Sequence, residues 1–191
     1  HMAHGYLLSS FLSPLANART DEYGGALANR LRYPLEVFAA VRAVWPANKP
    51  ISVSISASDW LDEGGGFTLD EAVEVARALK ALGCDLIDVS SAGNSPRSRP
   101  DYCRMYQVPF ADRIRHDAGI AVLAVGGIQN ADHINTVIAA GRADGMALPM
   151  LLILIALIVA LVVQSQFMAR SALQWEERQL LQTQLRIAAT D

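Results

Sequence analysis

His1 and His4 stand three residues apart, and Tyr6 follows two further on, just past Gly5. Those types at that spacing suit carbonyl chemistry. Imidazole N–H groups can hold the charge that develops on a carbonyl oxygen, and a phenol can deliver a proton to carbon. The plainer alternative is a pair of surface or capping histidines. A second candidate is Gly126-Gly127, directly after the apolar run AVLAV at 121–125. Backbone N–H groups there can face a phosphate, helped by the helix N-terminus that follows, although a simple turn would use the same glycines. Ser90-Ser91 and the group Ser56, Ser58 and Asp59 close two other apolar runs. His116 and His133 fall on helical patterns and are expected to be solvated. Gly64–Gly66 lacks the GxGxxG spacing and is expected to be a flexible loop. Cys84 is expected to be buried and Cys103 to lie in a loop. With no CxxC or Cys/His cluster, no metal site is expected.

The elements that must position these groups alternate regularly. His1 to Tyr6 reads as the end of a strand running into a loop. Ala26 to Trp45 reads as a helix that Pro34 breaks or restarts, with Arg30 and Arg32 expected to pair with carboxylates on the helical layer. ISVSISA at 51–57 alternates as a strand should. Thr68 with Glu71 three residues on forms a capping-box pattern, opening a helix that Gly83 ends. DLIDVS at 85–90 is the next strand, followed by a long loop with Pro96, Arg97, Arg99 and Pro100. Helices over 110–116 and 131–140 flank a strand at 121–125, and a last strand is expected over 143–148. Five strands, about four helices and no hairpin signal predict a parallel α/β fold. In such folds the site lies at the C-terminal ends of the strands, where all the candidate groups fall.

The 191-residue chain carries 16 Lys and Arg against 19 Asp and Glu, a net charge of −3. A nucleic-acid partner is not expected, because no basic excess is present to neutralise phosphates. Apolar residues make up 52% and charged residues 18%, which suits a packed core and not a disordered chain. The apolar residues cluster late: MLLILIALIVALVV at 150–163 has no polar side chain. With its flanks it approaches the roughly 17–25 residues of a membrane span. A transmembrane helix over 149–166 is therefore expected, in preference to a buried core helix, with a polar helical tail over 167–191. Arg170, Arg178 and Arg186 after the run bias that tail toward the cytoplasm.

Several strings together closely resemble the Old Yellow Enzyme family of FMN-dependent ene-reductases. They are HMAHGYLLSSFLSPLANARTDEYGGALANRLRYPLEV at 1–37, ISASDW at 55–60, CDLIDVSSAG at 84–93, YQVPFADRIR at 106–115 and AVGGI at 124–128. YCRMYQVPFADRIR is most similar to the reductase-like domain of bifunctional salicylyl-CoA 5-hydroxylases. The resemblance covers 1–148 and implies the last five βα units of a (β/α)8 barrel. It also implies FMN as cofactor, NADH or NADPH as reductant, and hydride transfer to an activated alkene. The substrate would be a small enone or an aromatic or CoA-ester compound. By the resemblance His1 and His4 bind the substrate carbonyl, Tyr6 protonates the α-carbon, Gly126 and Gly127 hold the FMN phosphate, and Ser90 and Ser91 flank the flavin.

The sequence also departs from that family. An arginine that contacts the flavin ring is replaced by Ser54, and Pro149-Met150 stands where a phosphate-gripping arginine would follow. No counterpart of the family's first three βα units precedes His1. Impaired activity is thus expected, with a junction near 148–150 joining unrelated segments. The alternative function is a catalytically inactive membrane-anchored fragment or an interaction module. The family is cytoplasmic, whereas membrane association through 149–166 and homo-oligomerisation are expectations for this chain.

Overall fold

The computed structural model describes residues 1–146 together with Gln164. The chain divides into two units, His1–Leu148 and Pro149–Asp191, and residues 1–146 lie within the first. The expected last strand continues past the described residues at its C-terminal end, and the expected span over 149–166 and tail over 167–191 lie outside them apart from Gln164. Among the described residues, no helix is long and apolar enough to cross a membrane.

Helices α1 (Leu7–Leu12) and α2 (Leu27–Val44) precede strand β1 (Ser52–Ser56). Then α3 (Leu69–Ala81), β2 (Leu86–Ser90), α4 (Val108–Ala118), β3 (Ala121–Ala124), α5 (Ala131–Ala139) and β4 (Gly145–Met146) alternate. The strands form one sheet in the order β1-β2-β3-β4, and every pair is parallel. Ser54, Asp88 and Leu123 share one register row, and Ser56 stands opposite Ser90. The two-residue period of a strand sorts the faces. Val53, Ile55, Ile87, Val89, Val122 and Ala124 are buried, while Ser54, Leu86, Asp88 and Leu123 on the other face are half-buried.

The expected first strand is reduced to one parallel bridge from Met2 to Ile55, with the Met2 N–H donating to the Ser54 carbonyl at 2.7 Å. His4 ends it by turning into a left-handed conformation at φ 58°. Helix α1, missing from the sequence reading, follows at once. At six residues it is less than two turns and shows no periodic apolar pattern.

Pro34 does not break α2. The helix runs unbroken for 18 residues, and Leu31, Pro34 and Phe38 are buried at the i, i+3, i+7 spacing of one face. A mid-helix proline costs about 3 kcal/mol. Burying side chains of this size returns roughly 1.5–3 kcal/mol each, so packing wins.

The capping box of α3 forms as expected: Thr68 Oγ1 accepts from the Glu71 N–H, and the Glu71 side chain accepts from the Thr68 N–H. Gly83 then turns the chain at φ 88°. Arg30 is buried and pairs with Glu71, as expected, and also donates to the Leu12 and Gly25 carbonyls. Arg32 departs from expectation. It donates to the Glu22 backbone carbonyl at 2.9 Å, not to a carboxylate. His133 also departs, since it is buried on the inner side of α5 with its Nδ1 accepting from the Gln129 N–H at 3.2 Å.

Candidate active site

The C-terminal ends of β1, β2 and β3 gather the sequence candidates into two adjoining groups. The first is built on His4. Its backbone N–H donates to Ser56 Oγ at 3.0 Å, and Ser56 Oγ donates onward to the Ala92 carbonyl at 2.7 Å. Its ring Nε2 lies 2.6 Å from Ser90 Oγ. The His1 and His4 rings are 5.4 Å apart, and the Tyr6 ring is 5.3 Å from His1. Tyr6 is 65% exposed, so its phenol is open to an incoming molecule. The structure thus brings His1, His4, Tyr6 and Ser90 together.

The left-handed backbone at His4 is a costly conformation for a residue with a side chain, on the order of 1–3 kcal/mol. The turn packs directly against the one that follows β2. A Cβ on Gly93 would stand 2.4 Å from the His4 Cα, and one on Gly5 would stand 2.4 Å from the Gly93 carbonyl oxygen. The two turns fit only because both positions are glycine. The Gly5 N–H then donates to Ser9 Oγ at 3.3 Å.

The second group lies around Gln107, the N-terminal flanking residue of α4. Ser91 Oγ donates to Gln107 Oε1 at 2.5 Å, and Gln107 Nε2 donates to the Val125 carbonyl at 3.2 Å. Gly126 and Gly127 follow at φ 90° and 67°. The N–H groups of Gly126, Gly127 and Ile128 take no hydrogen-bond partner among the described residues. Three such donors at a strand end suit an anionic oxygen cluster. Asn130 caps α5 just beyond them, its side chain accepting from the His133 N–H at 3.0 Å.

Two residues with no assigned role in the sequence reading hold these groups in place. Asp59 is fully buried, and Gln107 is 2% exposed. Asp59 stands in the candidate group with Ser56 and Ser58 at the end of the 51–57 run, and Gln107 lies within the family-like string YQVPFADRIR. Ser54 sits half-buried beside Asp88, so no cation lies at that row of the sheet. Cys84 is buried at the junction into β2, and burial pushes its thiol above the usual range. Cys103 is exposed. Among the described residues no cluster of His, Cys, Asp and Glu could hold a metal ion. A cavity of about 300 Å³ lined by Arg115, Gly119, Ile120, Ala121 and Asp144 opens at the opposite, N-terminal end of β3. Its arginine and carboxylate satisfy each other, so it offers little to a ligand.

A parallel α/β sheet with its polar groups collected at the carboxyl ends of the strands defines a class of small-molecule enzymes and binding proteins. Within that class the match is specific. Residues 1–151 fit the NADH:flavin oxidoreductase / NADH oxidase family, and the chain belongs to that family. It is 48% identical over 144 residues to an NADPH dehydrogenase of Geobacillus sp. (strain WCH70), covering 75% of this chain and 41% of that protein. It is 43% identical over 148 residues to an NADPH dehydrogenase of Clostridium acetobutylicum, covering 78% and 43%. The chain therefore spans about two fifths of the length of these relatives. Among solved structures, a 2-naphthoyl-CoA reductase complex aligns with TM-score 0.69 at 26% identity, covering 78% of this chain and 23% of the other. Morphinone reductase, at 24% identity and TM-score 0.58, shares the fold, with 77% of this chain and 38% of the other covered.

Proposed function

We propose that this chain carries the substrate-binding and proton-donating side of an FMN-dependent NAD(P)H oxidoreductase acting on an activated alkene, built as part of a (β/α)8 barrel. The single observation that carries the reading is the His1–His4–Tyr6 cluster at the carboxyl end of a parallel sheet. FMN, when bound, would supply the hydride it takes from NAD(P)H to the β-carbon. The N–H groups of Gly126 and Gly127, unpartnered among the described residues, would hold its phosphate, with Ser90 and Ser91 flanking the flavin. Reduction of the alkene then needs an enolate oxygen stabilised and a proton delivered to the α-carbon. His1 and His4 would donate to that oxygen, and the exposed Tyr6 hydroxyl would give the proton. The Ser90 hydroxyl donating to His4 Nε2 would leave the His4 proton on Nδ1, the ring nitrogen that takes no described partner.

An aromatic or CoA-ester substrate is the narrower form of this reading. It is supported by the likeness to the 2-naphthoyl-CoA reductase complex and by the resemblance of residues 102–115 to salicylyl-CoA 5-hydroxylases.

The test is flavin retention followed by turnover. The full chain is prepared in detergent, loaded with FMN and freed of excess, and its bound flavin absorbance and NAD(P)H-driven reduction of a cyclic enone are read. Bound flavin with turnover that drops at least about a hundredfold in Tyr6→Phe is the expected result. Absence of retained flavin would sink the reading for this chain.

A further inference from the structure

Asp59 is fully buried, and no Lys, Arg or His among the described residues pairs with it. A carboxylate in such a place needs donors, and it has three, each from a different part of the chain. Its Oδ2 accepts from Ser13 Oγ at 2.6 Å and from the Phe67 N–H at 2.7 Å. Its Oδ1 accepts from Asn94 Nδ2 at 2.7 Å. Ser13 follows α1, Phe67 precedes α3, and Asn94 belongs to the turn after β2.

The contacts continue from Asn94 to His4 by two routes. Asn94 Oδ1 accepts from Ser9 Oγ at 2.6 Å, and Ser9 Oγ in turn accepts from the Gly5 N–H. Beside it in the chain, Gly93 presses on the His4 backbone with no room for a Cβ. Pinning Asn94 therefore fixes both the Ser9 oxygen that accepts from Gly5 and the position of Gly93, which packs directly against the left-handed His4 backbone.

We propose that Asp59 is a positioning residue for His4, acting through Asn94 and Ser9 on the His4–Gly5 turn. The assignment rests on the reading of His4 as the group that meets the substrate oxygen, and it extends that reading to a residue that touches no substrate. An acceptor-only carboxylate suits the task, because a backbone N–H such as that of Phe67 cannot reverse its polarity. The relay orders a residue whose own backbone geometry is unfavourable, and such strain persists only where neighbours over-determine it.

Amide exchange and the ring nitrogen resonances of His4 test the relay in the full chain, labelled with nitrogen-15 and held in detergent, with no flavin and no turnover involved. Asn94→Ala cuts the relay and leaves the Asp59 carboxylate with its other two donors. Asp59→Ala removes the anchor. In both, the Gly5 amide is expected to exchange at least about tenfold faster and the His4 ring resonances to shift toward those of a free, solvated imidazole. Amides of α3 and α5 should keep their protection. Unchanged Gly5 exchange and unchanged His4 resonances in a folded Asn94→Ala chain would overturn the proposal. So would loosening that spreads evenly over α3 and α5. Should Asp59→Ala fail to fold, Asn94→Ala alone decides. Loss of flavin binding in the unaltered chain would count against the reductase reading and leave this result untouched.

Discussion

His4 Nε2 and Ser90 Oγ meet at 2.6 Å across 86 residues of sequence. One lies just past the Met2 bridge and the other ends β2, so the contact ties the first turn of the chain to the middle of the sheet. Ser90 is 7% exposed, which keeps the bond from competition with water. A hydroxyl that donates to one ring nitrogen leaves the proton on the other.

Ser90→Ala should therefore change the tautomer balance of His4 while leaving the sheet intact. Nitrogen-15 spectra of the ring near pH 8 would show a shift from one dominant tautomer toward a mixture. An unchanged tautomer would show that Ser90 does not orient the ring.

Gly126 makes a second test, since its φ of 90° is unfavourable for any side chain. A Cβ there would stand 2.3 Å from Gln107 Nε2 and 2.7 Å from Tyr106 Cε1. Gln107 is held at both ends by Ser91 and Val125 and cannot simply swing aside. Gly126→Ala should cost about 2 kcal/mol in urea unfolding and weaken FMN binding at least about tenfold in a fluorescence titration. Wild-type flavin affinity in the variant would remove Gly126 from the candidate phosphate site.

Arg30 has a side chain only 5% exposed and serves Glu71 and two backbone carbonyls at once. Arg30→Met leaves those acceptors without their donor and should destabilise by about 3 kcal/mol. Arg113, whose pairs with Asp70 and Asp117 are half exposed, gives the contrast. Arg113→Met should change stability by less than about 1 kcal/mol. Denaturant midpoints of the two variants check both, and equal losses would refute the distinction.

The Arg115 guanidinium donates to both Asp144 oxygens at 3.0 Å, and the Val122 N–H donates to one of them. That hydrogen bonding to Arg115 holds the Asp144 carboxyl below its usual 3.8, against a smaller opposing effect of burial. With the folded value below the unfolded one, the carboxylate contributes stability above about pH 4 and loses it as pH falls through the folded value. Thermal midpoints measured from pH 6 down to pH 2 should decline across that window, and Asp144→Asn should flatten part of the decline. A variant with the wild-type slope would assign the acid sensitivity elsewhere.

The sequence by itself determined whatever depends on neighbours a few residues apart. Thr68 and Glu71 form their capping box because both partners lie within one helical turn. Strand β1 was legible because a two-residue period survives in ISVSISA, β2 and β3 because each is a short apolar run between helical patterns, and the spacing of His1, His4 and Tyr6 placed them on one short turn. Tertiary structure decided the rest. Pro34 sits inside an unbroken helix, and His133 is buried, because packing outweighs local preference. The His4–Ser90 contact and the Asp59–Asn94–Ser9 relay join residues 86, 35 and 85 positions apart. Contacts at such separations form only when parallel strands bring their ends together, and they leave no periodic trace along the chain.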